Sequence, residues 1–234
     1  MKHIRTLFFD LDRTLWDFEK SSYETLLDLF HHYHVHIGLT MEFDEFLPVY
    51  RRVNNELWRD FEEGGIDFRT LRRLRWENTR GEMRVPVGDW TWEMATRYSS
   101  ECPQKPYLLE GAVETLTALQ PHFEIHLLTN GWTETQSVKV KHSGLEPYFD
   151  QMITSDAAQA QKPSEKIFQF ALQQTKAHRN SSVYIGDNFE TDMLGGRNAG
   201  WDVIFFNPLG KKYEEDIPQI HHLRELPTML GREV

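Results

Sequence analysis

Two carboxylates, Asp10 and Asp12, close an apolar stretch that runs from Ile4 to Leu11. A charge drawn out of water costs several kcal/mol unless a metal, a cation or hydrogen bonds offset it, so the pair requires a cationic partner. The rest of the chain holds further polar groups in comparable settings. Thr129-Asn130-Gly131 ends the apolar run Phe123–Leu128, and Gly186-Asp187 ends the run Ser182–Ile185, with Asp192 close behind. Lys162-Pro163 stands just ahead of a helical pattern. Each of these is unremarkable alone. Asn-Gly is a common turn former, a lone lysine is mostly a solvated surface charge, and a carboxylate near a helix start is favoured by the dipole.

The elements that carry these groups alternate. Apolar strands are read at Ile4–Leu11, Phe123–Leu128, Gln151–Thr154, Ser182–Ile185 and Asp202–Phe206, and helices between them at Gly111–Gln120, Thr135–His142, Ser164–Thr175 and Thr191–Asn198. Strands alternating with helices predict a Rossmann-like parallel sheet with helices on both faces and right-handed crossovers. In such sheets ligands bind beyond the carboxyl ends of the strands. Asp10 with Asp12, Thr129 with Asn130, and Asp187 each follow a separate strand, so one edge gathers residues far apart in the chain.

Residues 16–104 break this rhythm. Helices are predicted over Ser21–Tyr33, Met41–Glu63 with Pro48 in its early part, Phe68–Thr79 capped by Asp67, and Trp90–Ser100 after a turn at Pro86–Asp89. Gly38 with Thr40, and then Gly64-Gly65, separate them. The expectation is an all-helical insertion at residues 16–104 within an α/β core made of residues 1–15 and 105–234. Pro103 and Pro106 mark the return.

Composition narrows the partners. The 234 residues are 26% charged and 39% hydrophobic, a globular balance, with formal net charge −10. An acidic chain lacks the clustered Lys and Arg that draw in a nucleic-acid polymer or an anionic membrane. No apolar run approaches a membrane span. Cys102 is the single cysteine, which excludes an internal disulfide and a thiolate cluster, and together with the absence of a signal-peptide core this leads to the expectation of a cytoplasmic protein. Nothing in the pattern sets an oligomeric state.

Taken together, Asp10-x-Asp12-x-Thr14-Leu15, Thr129-Asn130, Lys162-Pro163 and Gly186-Asp187 with Asp192 resemble the four motifs of the haloacid dehalogenase (HAD) superfamily, in its phosphatase branch. All four occur in order, and the resemblance covers essentially the whole chain. It implies Asp10 as a nucleophile toward phosphorus, forming an aspartyl-phosphate, and Asp12 as general acid and base. It implies Mg²⁺, held by the Asp10 and Asp187 carboxylates and the Asp12 main-chain oxygen, with Asp192 orienting a water or Lys162 from behind. Thr129 and Asn130 would donate to phosphoryl oxygens, and Lys162 would neutralise charge. The helical insertion corresponds to the family's cap. The substrate implied is a small phosphate ester. Thr129-Asn130-Gly131-Trp132 and the stretch Gly186–Met193 are similar to the noncanonical pyrimidine 5'-nucleotidases of bacteria, which favours a nucleoside 5'-monophosphate.

Other readings stay open at this point: a phosphatase of sugar phosphates or phosphoglycolate, a 2-haloacid dehalogenase, or a non-enzymatic module on the same fold. The dehalogenase branch has no second Asp where Asp12 stands and needs no Mg²⁺. Arg13 departs from the pattern, because most phosphatases of the family have Gly or another small residue there. His31, His32, His34 and His36 read as a helix C-terminus, Trp58, Trp76, Trp90 and Trp92 as helix packing, and Arg69, Arg72, Arg73 and Arg75 as a solvated face.

Overall fold

A computed structural model describes residues 3–37, 42–85, 89–214 and 216–232, leaving aside the side chains of 34–37, 89 and 90. Its first strand, β1 (Thr6–Phe9), is buried at every position, as a strand is when it lies mid-sheet with both faces covered. The helices α1 (Phe18–Ile37), α2 (Phe43–Glu62), α3 (Phe68–Glu82) and α4 (Asp89–Glu101) follow without an intervening strand among the described residues. Then come α5 (Ala112–Leu119), β2 (Glu124–Thr129), α6 (Thr133–His142), β3 (Gln151–Thr154), α7 (Ser155–Ala158), α8 (Glu165–Thr175) and β4 (Ser182–Gly186). The chain ends through α9 (Gly195–Asn198), β5 (Asp202–Phe206), β6 (Gln219–Ile220) and α10 (Leu226–Met229).

The expected parallel α/β sheet forms, in the order β3-β2-β1-β4-β5-β6. Phe9 lies opposite Leu127 of β2 and Ile185 of β4, so β4 ends one residue and β2 two residues beyond the end of β1. The order reverses at β1, and the crevice outside such a switch point is where an open α/β sheet binds its ligands. Phe8, Leu128 and Tyr184 point to one face, where they pack with Ile167 and Phe168 of α8 and with Trp201. Leu7, Phe9, Leu127 and Ile185 are equally buried on the other face.

The chain divides into two compact units, one made of everything up to Phe18 and from Pro106 onward, the other of Glu19–Lys105. Trp16 to Phe18 stay with the α/β unit because Leu109 N–H donates to Leu15 O at 2.9 Å and Asp17 N–H to Tyr107 O at 3.0 Å. Lys105 stays with the helical unit through Asp28, at 3.4 Å. Within that unit Val53, Leu57 and Phe61 of α2 pack on Leu71 of α3.

Several local readings shift. The first helix is longer than Ser21–Tyr33, and Asp67 does cap α3, accepting from Thr70 N–H at 2.7 Å. Arg69, Arg72 and Arg73 are exposed, whereas Arg75 is buried against the ring of Tyr98. Trp76 is buried, but Trp92 is 74% exposed and packs little. His31 and His32 are exposed. The breaks at Gly38 and Thr40, the start at Met41, the turn at Pro86, and the side chains of His34, His36 and Trp90 lie outside the described residues.

Candidate active site

Asp10 is the first residue past β1, and its N–H extends the ladder by donating to Ile185 O at 2.9 Å. Its carboxylate is buried, and Oδ1 accepts a hydrogen bond from Lys162 Nζ at 2.8 Å. The same ammonium donates to Asp192 Oδ1 and to Tyr184 Oη, both at 2.7 Å, so its three protons are all engaged. Lys162 is itself fixed by Asn130, whose amide nitrogen donates to Lys162 O at 3.0 Å and whose Oδ1 accepts from Lys162 N–H at 2.7 Å. Asn130 therefore locates the lysine, and among the described residues its second amide hydrogen has no acceptor.

Asp187 follows β4, and Thr14 Oγ1 donates to its Oδ1 at 3.2 Å. Asp10, Asp187 and Asp192 each offer a carboxylate oxygen within 4.8 Å of the others. The helix expected at Thr191–Asn198 opens instead as a π-turn, Phe189–Leu194. Asn188 caps it, its Oδ1 accepting from Glu190 and Thr191 N–H, and Asn188 N–H in turn donates to Asp192 Oδ2 at 3.1 Å. A methyl group on Gly186 would lie 2.2 Å from that oxygen, which is why glycine precedes Asp187.

Electrostatics single out two of these acids. Burial, with repulsion from Asp192 and Asp12, outweighs Lys162 and pushes the Asp10 carboxyl up to about 7. Burial together with the charges of Asp10 and Asp192 holds Asp187 well above the usual carboxylate range. Lys162 moves the opposite way to what burial alone would give, held well above its ordinary value by Asp10 and Asp192. Lys162, joined at Asp187 by the charge of Arg13, thus faces three carboxyl groups, and burial with their mutual repulsion still wins at Asp10 and Asp187. A hard divalent cation fits this oxygen-only donor set, since it would remove the repulsion that Lys162 and Arg13 leave.

Asp12 faces elsewhere. Lys139 Nζ donates to its Oδ1 at 2.6 Å and its Oδ2 at 2.8 Å, and Gln136 Nε2 donates to Oδ2 at 2.9 Å. Burial would raise this carboxyl, but the Lys139 charge and these bonds hold it below its ordinary value. Gln136 Nε2 also donates to Thr129 Oγ1 at 2.7 Å, as does Gly131 N–H at 3.1 Å. Thr129 receives two hydrogen bonds, and among the described residues its own hydroxyl proton has no acceptor. Arg13 has φ of 65°, the left-handed region that favours glycine, and its guanidinium lies 4.4 Å from the centre of the Phe18 ring.

Residues 7–206 match the family model described as haloacid dehalogenase-like hydrolase. The chain belongs to that family. Among its relatives is a pyrimidine 5'-nucleotidase of Escherichia coli, YjjG, 32% identical over 96% of each chain. Another, PynA of Streptococcus pneumoniae, also named a pyrimidine 5'-nucleotidase, is 31% identical over 86% of this chain and 83% of its own. The magnesium-bound crystal structure of the HAD-hydrolase YfnB from Bacillus subtilis superposes with a TM-score of 0.88, at 28% identity, over 97% of this chain and 99% of that one. In this HAD hydrolase Asp10, Thr129 with Asn130, and Asp187 sit at three adjacent strand ends, Lys162 in the loop before α8 and Asp192 in the π-turn. Gln136, Lys139 and Tyr184 join them here, and only the i, i+3 spacing of Gln136 and Lys139 on one helix face hinted at it.

Proposed function

We propose that this enzyme hydrolyses small phosphate monoesters through an aspartyl-phosphate on Asp10, with a nucleoside 5'-monophosphate, pyrimidine favoured, as substrate. The observation that carries the reading is the Asp10 carboxylate, buried past the central strand with one oxygen on Lys162 and Asp187 beside it. Asp10 Oδ2 takes no hydrogen bond among the described residues, and it is the oxygen assigned to attack phosphorus. Lys162 steadies the other oxygen and the charge that develops on the phosphoryl group. The Thr129 hydroxyl and the spare Asn130 amide hydrogen are assigned to the phosphoryl oxygens. Asp12, which Lys139 holds ionised in the free enzyme, takes up a proton before it protonates the leaving oxygen, and then draws one from the water that attacks the intermediate.

Asp10 and Asp187, with the main-chain oxygen of Asp12, are the groups that would hold Mg²⁺, which when bound neutralises phosphoryl charge. Asp192, occupied by Lys162 and Asn188 N–H, is assigned to hold that lysine in place. The chemistry is assigned to the α/β unit, and choice of leaving group to the helical unit as the family's cap. The two 5'-nucleotidase relatives support the nucleotide assignment.

A kinetic screen of phosphate esters with Mg²⁺ tests this, with Asp10→Asn as control. UMP and dTMP are expected among the best substrates, and the variant is expected to be inert. Much faster turnover of sugar phosphates or phosphoglycolate would overturn the nucleotide assignment, and metal-independent chloride release from a 2-haloacid would overturn the phosphatase reading.

A further inference from the structure

We infer that Lys139, with Gln136, is a positioning residue for the proton-transfer step, and that it acts only through Asp12; the inference rests on the phosphatase reading above. The Lys139 ammonium donates to both Asp12 oxygens, at 2.6 and 2.8 Å, and sits 4.6 Å from the centre of the Trp16 ring. Lys139 is 7% exposed and Trp16 fully buried, so the ammonium is held between a buried ring and the carboxylate with few other places to go. The Asp12 side chain keeps 25% of its surface open to solvent. It is therefore clamped from behind and accessible in front, as a group that meets a leaving oxygen must be.

Gln136 completes the clamp. One N–H goes to Asp12 Oδ2 and one to Thr129 Oγ1, while its Oε1 takes no partner among the described residues. The two site oxygens are thus what holds this buried amide. One side chain fixes the distance between the acid and the hydroxyl assigned to the phosphoryl group. Gly131 makes room for it, because a methyl group there would meet Gln136 Nε2 at 2.2 Å. A salt bridge whose only task was to staple the loop after β1 to α6 would need none of this coupling to Thr129.

The two roles separate by leaving group. Release of a ribose 5'-oxygen needs a proton from Asp12, whereas p-nitrophenolate leaves without one. Because kcat/KM reports only the steps up to leaving-group departure, later hydrolysis of the intermediate does not enter it. For Lys139→Met we expect kcat/KM on UMP to fall about 10- to 100-fold, no more than the lower end of the ~10²–10⁴ that a positioned acid supplies because Asp12 itself remains, and on p-nitrophenyl phosphate less than about threefold. Lys139→Arg should recover part of the UMP loss, and Gln136→Leu should show the same asymmetry if the methionine variant does not fold. Equal losses on both esters, or no loss on either, would overturn the inference and leave the phosphatase reading standing. Failure of the unaltered enzyme to cleave either ester would overturn both.

Discussion

Replacing Asp10 with Asn should abolish turnover and, in the metal-free protein at neutral pH and above, make the fold more stable. The Asp10 carboxyl is raised by burial and by its acidic neighbours from 3.8 to about 7. A group whose folded pKa lies above its unfolded one favours folding in full only below the unfolded value, and that contribution is lost as pH rises through the folded value. At about 1.4 kcal/mol per unit, a rise from 3.8 to about 7 is on the order of 4 kcal/mol lost between pH 4 and pH 7, an upper figure because the site can relax. Asparagine is isosteric, carries no charge at any of these pH values, and its Oδ1 still accepts from Lys162. Urea unfolding in EDTA at pH 5 and pH 8 would measure the effect. The variant should exceed the unaltered protein by a few kcal/mol at pH 8, the gap should narrow at pH 5, and Mg²⁺ should close it at pH 8 by stabilising the unaltered protein. A variant less stable than the parent at pH 8 in EDTA, or a gap independent of pH, would refute the reasoning.

Lys162→Met removes the cation shared by Asp10 and Asp192 and should cost about 3–5 kcal/mol in urea unfolding, as expected when a buried ion pair loses one partner. EDTA should abolish turnover of UMP and added Mg²⁺ restore it in a continuous phosphate-release assay; full activity under chelation would count against the proposed metal role. His126 is buried in β2 with neither ring nitrogen hydrogen-bonded among the described residues, and burial lowers its pKa. Stability from this neutral ring is present above the unfolded value near 6.5 and lost as pH falls below it, so His126→Leu should unfold at higher urea than the parent, increasingly so from pH 7 to pH 5.5.

The strand-end residues were legible because each breaks an apolar run: Asp10, Thr129 and Asp187 stand one step past or at the end of strands buried throughout but for Glu124 at the start of β2. What holds them was harder to see. Gln136 and Lys139 lie on a short helix with almost no apolar stripe, so two buried polar side chains look like its solvent face. Tyr184 reads as one more core aromatic, although its hydroxyl accepts from Lys162 and donates to Leu128 O. The two residues of β6 are too few for an alternation, and the π-turn is invisible because its period is neither that of a strand nor that of an α-helix. Arg75 shows the converse error, since its three exposed arginine neighbours carry the pattern and hide the one that turns inward.

The central place of β1 also dictates the order in which a ribosome can build the enzyme. Its four residues emerge more than a hundred residues ahead of its partners, β2, beginning at Glu124, and β4, beginning at Ser182. At ~5–20 residues per second the strand waits on the order of ten seconds or more with both edges unpaired. During that time Glu19–Lys105 has left the exit tunnel and can condense on local helix contacts, which close faster than distant ones. A nascent chain stopped anywhere before β4 holds Asp10 without Asp187 and so cannot assemble the acidic cluster. Synthesis through β4 is therefore a precondition for the enzyme's first turnover.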